Sequence, residues 1–244
     1  MVPAAVKAEE HADVPPAARK FFLVDSNVVI GYYLPQAAAN KRVDGRARVL
    51  IDFARKNKGG PVFMYISNFC VAEVFNVFNR WRFGKWNRKV RKAISPEEHK
   101  RAVSSFRRDI HNAAVFYNYE LARYHVLNTD LISPIDNHYA FYRGTKKVLK
   151  PLSTHDLLIV GMGIELAHTH GWDSFHIVTA DSRICDILTR ARKLRAGVRK
   201  KLRLDSIARR LGVAFSRHVY PQSANLGKMT KAQFRNVFGL EEQG

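Results

Sequence analysis

Residues 21–34 read FFLVDSNVVIGYYL, and this stretch decides the fold. Four apolar residues, Phe21 to Val24, run straight into Asp25, Ser26 and Asn27, and apolar character resumes at Val28–Val29–Ile30. An unalternating apolar run of this length predicts a strand buried on both faces, as in a parallel sheet covered by helices. Open α/β sheets hold their ligands at the carboxyl ends of such strands, which is where Asp25 stands. Asp25 therefore has two readings, a residue of the chemistry or an N-cap of the following helix.

Working outward, the same grammar returns twice. Val62–Ile66 is a second apolar strand, followed by Ser67 or Asn68 as an N-cap and a helix whose apolar positions are Phe69, Val74, Phe75 and Phe78. Glu73 lies within that helix among Cys70, Val71, Ala72, Val74 and Phe75, where a carboxylate is costly to bury unless compensated. Phe175–Val178 is a third buried strand and delivers Thr179, Ala180, Asp181 and Ser182 at its end, so Asp181 repeats the placement of Asp25. Between them, Ser153 or Thr154 caps a helix running to about His168 with Asp156 in its first turn, where an acid also favours the helix dipole. Gly161 and Gly163 in this helix read as close packing and not as a dinucleotide fingerprint, because no strand runs into them. His155, His168 and His170 lack the HExxH spacing of a metal helix.

Composition bounds the rest. The 244 residues suffice for one well-cored domain, or for one domain with a substantial insertion, and a 46% hydrophobic content predicts a folded chain. The formal charge is +20 and the sequence pI near 10.3, which points to a polyanionic partner, nucleic acid before an acidic membrane. Twenty-one of the 41 Lys and Arg residues fall in two stretches, 80–108 and 190–210. The first carries Arg80, Arg82, Lys85, Arg88, Lys89, Arg91 and Lys92 interleaved with Trp81, Phe83 and Trp86. Cations for phosphates beside aromatics for unpaired bases are what a single-stranded groove needs. The second carries Arg192, Lys193, Arg195, Arg199 and Lys200 and reads as part of the same basic surface. Cys70 and Cys185 show neither disulfide nor zinc spacing. With no signal-peptide core and no apolar window of spanning length, the expectation is a soluble cytoplasmic protein without a membrane segment.

Domain limits follow. Residues 1–19 read as a flexible leader, 20–216 as the α/β domain with a basic and aromatic insertion at about 80–150, and 217–244 as a polar tail. Within the insertion, 102–127 reads as one long helix broken near Asn128–Pro134, with a basic Lys146–Lys150 beyond. Val213–Phe215 is the last strand candidate.

If the strands are parallel, Asp25, Glu73, Asp156 and Asp181 converge at one edge of the sheet. Gathered carboxylates repel and raise one another's pKa, a repulsion that Mg²⁺ or Mn²⁺ relieves. Such ions activate water against a phosphodiester.

The ordered motifs VDSNVVI (Asp25), SNFCVAEVFN (Glu73), STHDLLIVGMGIELA (Asp156) and VTADSRICDIL (Asp181) resemble those of PIN-domain ribonucleases, including the toxin-type members, over about residues 21–188. The resemblance implies a three-layer α/β/α sandwich with a mainly parallel central sheet, to which the basic helical insertion is added. It also implies a metal-binding acidic set of Asp25, Glu73, Asp156 and Asp181. Ser26 matches the small polar residue after the first Asp, and Thr179 the hydroxyl residue before the last. The activity implied is hydrolysis of RNA by a water activated with Mg²⁺ or Mn²⁺. The partners implied are RNA, an inhibitory antitoxin-like protein and a second copy of the chain. The interval from Glu73 to Asp156 is long for a compact toxin-type member, and the basic stretch makes up the difference. Two other readings stand beside this one, a flap-endonuclease-type DNA nuclease and a non-catalytic nucleic-acid-binding module of the same fold. A haloacid-dehalogenase-like phosphatase would want an Asp where Asn27 stands.

Overall fold

The computed structural model describes residues 19–37, 41–57, 60–85, 93–113, 115–142 and 151–240. The leader up to residue 18, the insertion residues Trp86, Arg88, Lys89, Arg91 and Lys92, and the basic 146–150 run lie outside them.

Five strands form one all-parallel sheet: β1 (Lys20–Val24), β2 (Val62–Ser67), β3 (Phe116–Tyr119), β4 (Phe175–Thr179) and β5 (Gln222–Asn225). Their spatial order is β3-β2-β1-β4-β5. The central strand β1 pairs on one side with β2, Phe22 opposite Met64, and on the other with β4, Phe22 opposite His176. Both central neighbours of Asp25 are thus set by the apolar run that precedes it.

Ten α-helices accompany the sheet among the described residues. They are α1 (Ser26–Tyr33), α2 (Lys41–Lys56), α3 (Asn68–Phe83), α4 (Pro96–His111), α5 (Arg123–Tyr142), α6 (Thr154–His170), α7 (Ser182–Arg192), α8 (Ala196–Lys201), α9 (Leu204–Arg210) and α10 (Lys231–Phe238). Their starts are written into the sequence. Ser67 caps α3 through its Oγ, and Ser95–Glu98, Ser153–Asp156 and Thr230–Gln233 close reciprocal capping boxes on α4, α6 and α10. Successive residues of β1 face opposite ways, and each side has a helix against it. Phe21 stacks on His170 of α6 with ring centroids 3.8 Å apart, while Phe22 meets Phe238 of α10 at 4.8 Å. The arrangement is α/β and compatible with a three-layer α/β/α sandwich. No helix among the described residues is long and apolar enough to cross a membrane.

Four expectations are corrected. The stretch from 80 to 150 is not simply a helical insertion, because it contributes β3, which pairs in register with β2 (Tyr65 opposite Tyr117), and α4, whose Phe106 packs on Phe116. The helix expected over 102–127 is two helices flanking that strand, and α5 runs through Pro134 without ending there. Pro134 cannot donate to the Asp130 carbonyl four residues back, and the helix continues past it with Leu131, Ile132 and Ile135 buried in the core. Residues 217–240 are not a tail. They form β5, which pairs with β4 (Val178 opposite Ala224), and α10, whose Phe234 and Phe238 are buried; residues 213–215 are not a strand.

Candidate active site

In the order β3-β2-β1-β4-β5 the direction of strand progression reverses between β1 and β4. The crevice outside the carboxyl ends of those two strands is the topological switch point, where open α/β sheets bind ligands. Asp25 ends one wall of it and Thr179 the other.

Asp25 occupies the N-cap position of α1 but makes no side-chain capping bond. Its carboxylate is used elsewhere. Oδ2 accepts the Thr179 hydroxyl at 2.6 Å and the Asn27 amide at 2.5 Å, and Oδ1 lies 3.3 Å from the Ser26 hydroxyl. The Ser26 proton points more closely at Glu73, whose Oε2 is 2.8 Å away, so one hydroxyl spans two carboxylates carried by different elements. Asn27 completes the bracket: its amide also reaches the Thr179 Oγ1 at 3.2 Å, and its carbonyl accepts the Ala180 N–H at 2.9 Å. The Asp181 N–H donates to Thr179 Oγ1 at 2.9 Å. Together these bonds tie the end of β1 to the end of β4 and to α3.

The capping alternative holds for the other aspartates. Asp156 takes the Ser153 N–H at 3.0 Å and hydroxyl at 2.7 Å within its capping box, and Asp181 takes the Arg183 N–H at 2.6 Å. The start of α6 is set beside α3 by His155 stacked on Phe69, one turn before Glu73, at 5.7 Å. Asp136, 1% exposed, ties the start of α6 to the start of α7: it accepts the Leu152 N–H at 2.7 Å and the Arg183 guanidinium at 2.5 Å.

Electrostatics single out Asp25, which is only 4% exposed. Burial pushes its carboxyl up to about 6; the Thr179 hydrogen bond opposes that, and the charges of Asp156 and then Glu73 add to it. The buried Cys70 feels the same charge. Burial, with the Asp25 and Glu73 charges, drives its thiol up to about 12, so it is a neutral filler and not a nucleophile.

The donor chemistry suits a hard divalent cation: the oxygens of Asp25 and Glu73 are joined through Ser26, and the charge of Asp156 bears on Asp25. The four acids do not stand in a single ligating shell. Among the described residues no three His, Cys, Asp or Glu side chains form a group that would hold a metal ion. Asp156 and Asp181 are each turned onto a helix N-terminus.

The basic residues divide. Arg80, Lys85, Lys193, Arg195 and Lys200 are exposed, as the surface reading expects, and Arg82 is half-buried over the Phe83 ring. Phe83 is 65% exposed. Trp81 instead packs against the core. Arg192 is no simple surface cation: its guanidinium donates to the Pro221 carbonyl at 3.1 Å and lies over Trp172. Arg199 pairs with Asp205 at 3.1 Å and lies over Phe215. These arginines have long apolar stems that the fold uses for packing.

Sequence pattern alone does not single out Asn27 and Asp136 as parts of this site. Asn27 carries a signal, its position two residues past a strand-end acid, but its partners Thr179 and Ala180 are 152 and 153 positions away. No family model, curated protein or solved structure matches the chain.

Proposed function

We propose that the chain is a metal-dependent endoribonuclease of PIN-like fold. The observation that carries the reading is Asp25: a buried carboxylate at the switch point, unused as a cap, held by hydroxyl and amide donors, and pushed up to about 6 beside Glu73 and Asp156. A group poised in this way favours a cation and has no evident use in a protein that only binds polyanions. Asp25 and Glu73, joined through Ser26, would hold Mg²⁺ or Mn²⁺, and Asp156 and Asp181 would join them only on leaving the helix starts that their carboxylates now cap. When bound, the ion supplies positive charge against the phosphodiester and lowers the pKa of a water. The chain's own groups do the positioning. Ser26 keeps Asp25 and Glu73 together, and Thr179 and Asn27 fix the Asp25 carboxylate across the crevice. The water oxygen bonds to phosphorus as the bond to the leaving sugar oxygen breaks, leaving one end phosphorylated and the other a hydroxyl. Exposed Arg80, Lys85, Lys193, Arg195 and Lys200 supply phosphate contacts.

The test is incubation of purified protein with labelled single-stranded RNA and matched DNA in Mg²⁺, Mn²⁺ or EDTA, beside Asp25→Asn. RNA cleavage that requires both metal and Asp25 supports the reading. DNA cleavage under the same controls moves the chain to the flap-endonuclease-type class, and binding without cleavage of either supports the non-catalytic module.

A further inference from the structure

Parallel sheets normally have both faces covered, and their strands read as apolar on both sides. Among the described residues the β2–β3 half of this sheet departs from that. On one face Val62, Met64, Ile66 and Phe116 are buried. On the other stand Phe63, Tyr65, Tyr117 and Tyr119, all only half-buried. Helix α6 reaches this face through His170, which stacks on Phe21 and shares a hydrogen bond with the Tyr65 hydroxyl at 3.0 Å. Beyond His170 the rings continue outward. Phe63 and Tyr117 stack at 5.4 Å with planes 27° apart, and Tyr65 lies 6.1 Å from Tyr117 and 5.7 Å from Tyr119. The guanidinium of Arg19 sits over Phe63 at 5.6 Å.

We infer that this aromatic sheet face is a stacking platform for unpaired RNA bases, which rests on the reading of the chain as an RNA enzyme. Three observations favour bases as the occupant. The face is built of rings and not of the aliphatic side chains that pack under helices, and every base has a π-face to lay on a ring. It carries a cation at one end, in a chain of charge +20 that already calls for a polyanion. It also leads to the acidic edge: Tyr119 stands in register with Ser67, the N-cap of the helix that bears Glu73. A strand laid on Phe63 and Tyr117 and running toward Tyr119, whose ring meets His125 of α5 at 5.0 Å and whose hydroxyl shares a hydrogen bond with it at 2.9 Å, is delivered to the carboxyl end of the sheet, where Asp25 and Glu73 are. Tyr117 is the residue to probe, because its hydroxyl makes no hydrogen bond among the described residues and its ring lies on the edge strand.

The experiment is fluorescence anisotropy of a labelled single-stranded RNA in EDTA, so that cleavage plays no part and the platform is tested apart from the nuclease reading. Tyr117→Ala is expected to weaken binding roughly tenfold with an unchanged salt slope, because stacking and not charge is removed. Tyr117→Phe keeps wild-type affinity, and Phe63→Ala weakens binding as Tyr117→Ala does. Should Tyr117→Ala lose its fold by circular dichroism, Tyr117→Leu preserves apolar bulk and is expected to show the same weakening. Folded variants that bind as tightly as wild type overturn the platform. So does a blunt duplex of the same sequence bound as well as the single strand.

Discussion

Thr179 donates its hydroxyl to Oδ2 of Asp25 across 2.6 Å, joining residues 154 positions apart at the facing ends of the two strands where the sheet reverses direction. This bond does two things. It locks the crevice, and it partly offsets the burial that raises the Asp25 carboxyl to about 6. Thr179→Val removes the donor while keeping the shape. Asp25 then titrates at a still higher pH, and the acid limb of the cleavage profile moves to higher pH while the rate well above neutrality falls less. A profile that keeps its position would show that Thr179 does not act through Asp25.

The raised value also fixes a stability dependence. The folded-state carboxyl, at about 6, holds its proton more tightly than the ordinary value of 3.8. Its contribution to stability is fully present below about 3.8 and is lost as pH rises through about 6. In EDTA at pH 7.5, Asp25→Asn is therefore expected to be more stable than wild type, by on the order of 1–3 kcal/mol, while its cleavage activity is abolished and RNA binding remains. Denaturant titrations at pH 5 and pH 7.5 check this, since the advantage shrinks at the lower pH. Adding Mg²⁺ or Mn²⁺ is expected to stabilise the wild type more than the variant.

Some of this is legible in the sequence and some is not, for identifiable reasons. β1, β2 and β4 declare themselves because their apolar runs end in Asp25, Ser67 and Thr179–Asp181, and of the four acids Asp25 and Glu73 meet through Ser26 while Asp156 and Asp181 turn onto helix starts. β3 reads FYNY and β5 reads QSAN. The first hides its alternation behind tyrosines on the half-buried face, and the second has one apolar residue, Ala224, so neighbours and not periodicity make it a strand. Pro134 misleads because what carries the helix past it is tertiary, the burial of Leu131, Ile132 and Ile135 in the core. Charge runs reveal the density of Lys and Arg but not their destinations, as Arg192 over Trp172 illustrates.

Asp136 holds the starts of α6 and α7 together while almost wholly buried, with Arg183 as its ionic partner and the Leu152 N–H as its second donor. Removing one partner leaves an uncompensated buried charge. Asp136→Ala is expected to lose roughly 3–5 kcal/mol, measured by urea unfolding. The variant also releases the helices that carry Asp156 and Asp181, so a larger metal concentration should be needed for half-maximal cleavage.

Gly161 and Gly163 are separated by one residue yet face different neighbours. A Cβ on Gly161 would strike the His125 carbonyl oxygen of α5, a backbone atom that cannot step aside. On Gly163 it would meet the buried Ile177 side chain on β4, Cδ1 at 2.5 Å and Cγ1 at 2.9 Å, which is side chain and not backbone and can give way by a change of rotamer. Gly161→Ala should therefore destabilise more than Gly163→Ala, with the latter costing about 1–3 kcal/mol. Equal midpoints in urea would contradict the distinction between helix–helix and helix–sheet packing.

The basic residues separate by where their side chains go, and that separation predicts two different phenotypes. Lys193, Arg195 and Lys200 are exposed, whereas Arg192 is held by the Pro221 carbonyl and the Trp172 ring. Charge reversal at Lys193 and Arg195 should weaken RNA binding and lower the slope of log affinity against log salt by about one for each phosphate no longer neutralised, leaving the unfolding midpoint near wild type. Arg192→Gln should do the opposite, lowering stability through poorer packing while the salt slope stays. Affinity measured over a range of roughly 50 to 200 mM salt, beside urea unfolding of the same proteins, tells them apart. An Arg192 variant that loses slope but not stability would return that guanidinium to the RNA surface.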